Sequence, residues 1–217
     1  MRDYEESYFA PRRHDEALRD AMRRQELERV CARTGLKGGK VVDIGCGLGE
    51  FLDLLPNSEQ WTKYGVDVSE FARTTCLKKD ISFDLPQGEA WCDLVLLRGS
   101  VQHLERPLDT LFEVHRWLRR GGWLVVLATP NAGSLSYRLF QDLPPLDPPL
   151  NFVVFSDRIL RQCLINIGFR EPEFYYPYLE TPYASPLRDH FHFLLRLVGI
   201  KKQFAFWRNM MECYAQK

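Results

Sequence analysis

Short apolar runs alternate along the chain with amphipathic stretches, and this alternation predicts strands and helices in turn. Residues 15–33, rich in Ala, Leu, Met, Arg and Glu, predict a helix that Gly35 and the Gly38-Gly39 pair break. KVVDIGCG follows as a β-branched run ending in glycines, the pattern of a strand buried on both faces. Residues 50–55 predict a helix, 64–68 a strand, and 69–79 a helix with Ser69 as its N-cap. A short strand is expected over 81–85 and a longer one over 92–97 (CDLVLL). The spacing over 107–120 predicts a helix with Leu108, Leu111, Phe112, Val114 and Leu118 as its apolar face, stopped by Gly121-Gly122. Residues 123–128 predict another buried strand.

Beyond Thr129 the texture changes. DLPPLDPPL, residues 142–150, carries four prolines and predicts a loop. A helix is expected over 156–167, ending at Gly168, and strands over 174–178 and 209–215. Between these strands lies an aromatic, amphipathic stretch over 186–207, inside an insertion spanning 183–207. Alternating strands and helices imply an α/β fold, a mostly parallel sheet with helices on both faces. There is no internal repeat or low-complexity tract and no convincing boundary, so 1–217 reads as one domain. Its parts are an N-terminal helical segment (1–34), a core (40–131) and a second half (132–217).

Composition narrows the partners. Lys and Arg number 29 and so do Asp and Glu, and this balance argues against a nucleic-acid substrate. The six cysteines contain no C-x-x-C pair, which removes the common zinc and disulfide spacings, and four of them sit where a buried free thiol is expected. The charged N-terminus is unlike a secretory signal, and no apolar run approaches the roughly 18 residues of a membrane span. Cytoplasmic residence without stable membrane insertion is the expectation.

The sharpest chemical signal is VVDIGCGLGEF. Gly45, Gly47 and Gly49 stand between a buried strand and a helix, where the backbone must turn tightly and let a ligand approach. Glu50 occupies the position a dinucleotide fingerprint reserves for Gly or Ala, and the loop lacks the lysine of a P-loop. A nucleoside cofactor without such a phosphate cradle fits better, and S-adenosylmethionine is one. Asp67, at the end of the strand YGVDV, offers a carboxylate to both ribose hydroxyls, or else caps the next helix. Asp43 is an odd residue to bury in a strand and reads as a brace for the loop.

VVDIGCGLGEF, YGVDVSEFA, CDLVLLRGSVQHL and LRRGGWLVVLATPN together resemble, in order and spacing, the successive motifs of class I S-adenosylmethionine-dependent methyltransferases. NFVVFSDRILRQCLINIGF is similar to the segment that follows in the quinone- and sugar-type O-methyltransferase branch, and LRGSVQHLERP, ATPNAGS and FWRNMMECYAQK resemble glycan-modifying members. The resemblance implies a Rossmann-like, doubly wound seven-stranded sheet with its last strand antiparallel. The cofactor would lie at the carboxyl ends of the first strands, against Asp43, Gly45, Cys46, Gly47, Gly49, Phe51, Asp67 and Val68. The third strand and its turn are abbreviated, so the acid facing the adenine is Asp80 or Asp84, with Asp84 and Leu85 preferred. Arg98 and Gly99 are placed at the methionine end, the alternative for Arg98 being an ion pair.

Methyl transfer from a sulfonium leaves the protein to align the reactants, exclude water and remove an acceptor proton. His103, just past the fourth strand, is the candidate base; the alternative is a structural histidine that packs against or caps the next helix and only lines the site. His115 reads as structural, whereas His190, His192 and the tyrosines Tyr4, Tyr8, Tyr175, Tyr176, Tyr178 and Tyr183 are available to an acceptor pocket or to packing. No paired-acid metal cluster is evident. The leading expectation is O-methylation of a sugar hydroxyl in a glycan or activated sugar. A quinone or phenolic small-molecule acceptor, and a non-catalytic cofactor-binding module, are the alternatives. Residues 186–207 are open to three roles: active-site cover, homodimer interface, or membrane-surface segment.

Overall fold

In the computed structural model, which describes residues 16–143, 146 and 151–217, helix α1 (Glu16–Thr34) leads into β1 (Gly39–Ile44) and α2 (Glu50–Asp53). Tyr4 and Tyr8 and most of the proline-rich 142–150 lie outside the described residues. Next come β2 (Trp61–Val66), α3 (Glu70–Leu77), β3 (Ile81–Ser82) and β4 (Cys92–Arg98). The second half contributes α4 (Pro107–Trp117), β5 (Leu118–Pro130), α5 (Leu135–Phe140), α6 (Asp157–Ile167), β6 (Glu173–Tyr175), α7 (Pro186–Leu197) and β7 (Met210–Gln216).

The strands form one sheet in the order β3-β2-β1-β4-β5-β7-β6. All pairings from β3 to β5 are parallel, and β7 runs antiparallel to both of its neighbours. Side chains alternate along each central strand, so each face is apolar and needs its own cover. Val42, Ile44, Val95, Leu97, Leu124 and Val126 pack with Leu111 and Val114 of α4 and Leu160 and Leu164 of α6. Val41, Leu94, Leu96, Val125 and Leu127 pack on the other face with Leu27 and Val30 of α1 and Phe51 and Leu52 of α2. Burying each such side chain contributes roughly 1.5–3 kcal/mol.

Ser69 and Ser156 cap α3 and α6 through their hydroxyls, and Gly168 ends α6 at φ 115°. Cys46, Cys76, Cys92 and Cys213 are buried free thiols. Several expected boundaries move. β2 begins at Trp61 rather than residue 64, because β1 offers pairing partners from Gly39 onward and the Trp61 ring is buried. α4 stops at Trp117, and residues 118–120, expected as its last turn, enter β5 together with the Gly121-Gly122 pair expected to stop it, through a bulge opposite Cys92 and Leu94. Leu108 and Phe112, expected on the apolar face of α4, are exposed; the face that packs is Leu111, Val114 and then Leu118. β3 shortens to two residues and β6 to three.

Parallel alignment gathers the turns after β1, β2, β4 and β5 on one edge. Because β7 is antiparallel, the residues that precede it reach that same edge, where Asn131 donates its backbone N–H to the carbonyl of Asn209 at 2.9 Å. The direction of chain crossover reverses between β1 and β4, and ligands of open α/β sheets collect at such a switch point.

Candidate active site

Three glycines shape the turn after β1, with φ of 81° at Gly45, 53° at Gly47 and 78° at Gly49. At Gly45 a Cβ would also stand 2.6 Å from Cβ of Ser100, so the close approach of the β1 and β4 turns depends on its absence. Asp67 ties the loop down. Its Oδ2 accepts the N–H of Gly47 at 2.9 Å, and its Oδ1 accepts the N–H of Ser69 at 2.9 Å. A carboxylate has about four acceptor positions, so both oxygens keep capacity for further donors. The two roles weighed for Asp67 are therefore compatible: it organises the start of α3 and still presents lone pairs at the strand end.

Asp43 is buried, and its Oδ1 has no hydrogen-bond partner among the described residues. Burial pushes its carboxyl up to about 7; the Arg98 charge opposes that rise, while Asp67 and Glu50 add to it. Arg98 donates from Nε to Glu26 of α1 at 2.6 Å and lies 5.5 Å from the ring centre of Phe51. Its guanidinium is thus held in an ion pair that pins α1 against the β4 end. Phe51 is a buried support beneath the loop. Cys46 is buried too, its thiol 3.8 Å from the carbonyl oxygen of Gly47, and the thiol of Cys76 reaches the same oxygen at 3.3 Å.

Beyond β2, Val68 is 86% exposed and open to a ligand. Leu85 packs partly on the core. The Asp84 side chain projects into solvent, 3.9 Å from Arg73. After β4, Gly99 turns at φ 63° and donates its N–H to the carbonyl of Leu127. His103 then ends a 3-10 turn, Val101–His103, on the exposed surface of that edge. The Gln102 amide nitrogen donates to the Gly99 carbonyl at 3.0 Å and lies 3.4 Å from Nε2 of His103. An amide nitrogen only donates, so this contact suits the lone pair of the ring nitrogen.

Two neighbours were not singled out in the sequence. Ser100 Oγ and Gln102 Oε1 are buried without partners among the described residues, like Oδ1 of Asp43. The signal that points to them is their position in RGSVQHL, between Gly99 and His103. Glu26 had no local signal, since it meets Arg98 across 72 residues of chain. Orphaned polar atoms at the turns after β1 and β4, a left-handed glycine loop and spare lone pairs on Asp67 suit a polar nucleoside with a charged aminoacyl end. The residues present fit S-adenosylmethionine.

The remaining candidates are drawn into structure. His115 packs edge-on against Phe169, and its pKa is lowered, first by burial and then by the Lys217 charge. His190 and His192 place Nδ1 on the carbonyls of Pro186 and Gln203 at 2.6 and 2.8 Å. The hydroxyls of Tyr175, Tyr176 and Tyr178 donate to Glu180, Asp157 and Asp189. Burial, followed by the hydrogen bond to Asp189, pushes Tyr178 up to about 12. Tyr183 is 49% exposed.

Comparison with known proteins identifies the family and the fold. The profile of the methyltransferase-domain family matches residues 13–171. A tRNA U34 carboxymethyltransferase of Desulfotalea psychrophila is 29% identical over 144 residues, 60% of this chain and 44% of that protein. A ubiquinone biosynthesis O-methyltransferase of Thiobacillus denitrificans is 28% identical over 126 residues, 52% of this chain and 53% of the relative. The chain thus spans about half the length of the curated relatives it matches. A crystal structure of a SAM dependent methyltransferase from Archaeoglobus fulgidus superposes with a TM-score of 0.64 at 21% identity, covering 99% of this chain and 100% of the other. With the family profile running through the glycine loop, Asp67 and His103, the chain belongs to the class I S-adenosylmethionine-dependent methyltransferases.

Proposed function

We propose that the chain transfers a methyl group from S-adenosylmethionine to a sugar hydroxyl, in a glycan or an activated sugar, with His103 as the base. The cofactor supplies a methyl group on sulfur together with its own leaving group, so the protein's tasks are alignment, dryness and one proton. Gly45, Gly47 and Gly49 admit the cofactor's close approach. Asp67 receives the ribose hydroxyls, while Asp43 and Ser100 serve the aminoacyl end and Arg98 holds α1 in place through Glu26. Gly99, Val68, Leu85 and Asp84 complete the surround, Asp84 from the solvent side of the adenine.

The observation that carries the reading is the position of His103. It stands exposed at the turn after β4, on the same edge as the glycine loop and the end of β2 that carries Asp67. An aliphatic hydroxyl keeps its proton until attack begins, so a base there acts on the transition state. The relative from Thiobacillus denitrificans, an O-methyltransferase by name, supports oxygen as the attacking atom. Equal numbers of acidic and basic residues weigh against tRNA. A second reading, a quinone or phenolic acceptor taken near a membrane, is favoured by the outward ridge of α7. There Leu187 is 90% exposed, and Phe191, Leu194 and Val198 continue the stripe at helical spacing.

A labelled-methyl transfer screen over sugars, glycan fragments and phenols identifies the acceptor. On a sugar, His103→Ala is expected to lower kcat by roughly 10²–10⁴ with unchanged affinity for S-adenosylhomocysteine. A phenolic acceptor, acidic in itself, gives a smaller loss. Near-parental kcat on the true acceptor would remove His103 from the chemistry.

A further inference from the structure

A small cavity of about 40 Å³ lies between α5, α7 and the segment that enters β7, on the sheet edge that carries His103. Two of its lining side chains have unusual status. Ser136 and Asn209 are 1% and 2% exposed, and neither the Ser136 hydroxyl nor either end of the Asn209 amide has a hydrogen-bond partner among the described residues. Buried polar groups are normally satisfied, so these atoms are arranged around something else. Apolar walls come from Phe140 and Phe204, whose rings lie edge to face.

Charge says what that something is. Arg196 and Lys202 line the same space. Arg196 gives one nitrogen to Asp142 at 2.5 Å and rests 5.4 Å from the ring centre of Phe140, which leaves other N–H groups of its fork unassigned. Asp142 also lines the cavity, so one cation there is balanced and the other is in excess. A hydroxyl, an amide and two cations in a space too small for a ring call for a compact group with several acceptor oxygens and negative charge. Lys202 stands on the exposed rim of the cavity, where its charge would face an anion seated on Ser136, Asn209 and Arg196.

We infer that this cavity is an anion subsite that takes a phosphoryl group carried by the methyl acceptor. The link to the acceptor rests on the methyltransferase reading above, because α5 and the start of β7 belong to the half of the carboxyl edge beyond the cofactor residues. The substrate class is then a phosphorylated acceptor such as a sugar phosphate, with the phosphoryl group in the cavity and the hydroxyl towards His103.

Calorimetric titration of the whole chain with inorganic phosphate, a hexose 1-phosphate and the unphosphorylated hexose tests this. Saturable binding of phosphate and hexose 1-phosphate is expected. Lys202→Ala should weaken it about tenfold, by loss of a charge-assisted contact. Asp142→Asn should tighten it, by removing the competing carboxylate. Both substitutions lie on the exposed rim, so folding is not at issue, and affinity for S-adenosylhomocysteine should stay constant in each. Absence of saturable phosphate binding, or affinities that ignore both substitutions, would mean that the cavity holds water only. The two readings fail separately: phosphate binding without methyl transfer to a sugar hydroxyl sinks the sugar-methylating reading alone, and methyl transfer without phosphate binding sinks the subsite alone.

Discussion

Asp43 is the residue at which burial and charge conflict most strongly. A carboxyl raised to about 7 stays protonated in the folded chain at pH values where the unfolded chain has released its proton, at about 3.9. Below that pH both states are protonated and the group has no effect. As pH rises from about 4 to 7 the unfolded state binds fewer protons, so stability falls, and above about 7 the loss is level. Chemical denaturation across this window should therefore show wild type losing stability relative to Asp43→Asn, by a few kcal/mol in total. Parallel stability curves for the two proteins would show that Asp43 is ionised in the fold. The strand residue that looked out of place in VVDIGCG is thus the one whose burial raises its carboxyl, and its anomaly was legible because an acid in a buried β-branched run is costly to bury. Ser100 and Gln102 were not legible in this way, since serine and glutamine in a loop are ordinary until their burial is known.

At the scale of elements, strands declared themselves better than helix ends did. The central strands are buried on both faces, so their apolar runs match the observed β1, β4 and β5 cores closely. The β2 start was missed because Thr62 and Lys63 are polar, and backbone pairing with β1, joined at Lys63 by pairing with β3, keeps them in the sheet. The end of α4 was missed because Leu118 continues a helical spacing, while the bulge opposite Cys92 draws it into β5. Caps were the readable exception, as Ser69 shows. Its hydroxyl accepts the N–H of Ala72 at 3.1 Å. Ser69→Ala should cost about 1 kcal/mol in urea denaturation by freeing that donor. The Asp67 contact to the Ser69 backbone survives the substitution, so cofactor affinity should not change. A neutral stability effect would mean that α3 is held by packing alone.

For the whole molecule, the sheet order brings the glycine loop, Asp67 and the turn after β4 to one edge, an arrangement legible in the sequence because each of these follows a strand. Contacts that close the site over long chain distances did not follow. Arg98 with Glu26, and Asn131 with Asn209, join segments that no local pattern connects. The central claim is that this edge holds S-adenosylmethionine through Asp67 and the glycine turn. It is tested most directly by calorimetric titration of the wild-type chain and Asp67→Ala with S-adenosylhomocysteine, and of the wild type with NAD. Each hydrogen bond to a charged acceptor contributes about 1.5–3 kcal/mol, and 1.4 kcal/mol is a factor of ten in affinity. The account expects S-adenosylhomocysteine to bind the wild type, at least tenfold weaker binding by Asp67→Ala, and no binding of NAD. Binding of NAD in place of S-adenosylhomocysteine, or an affinity indifferent to the loss of Asp67, would contradict it.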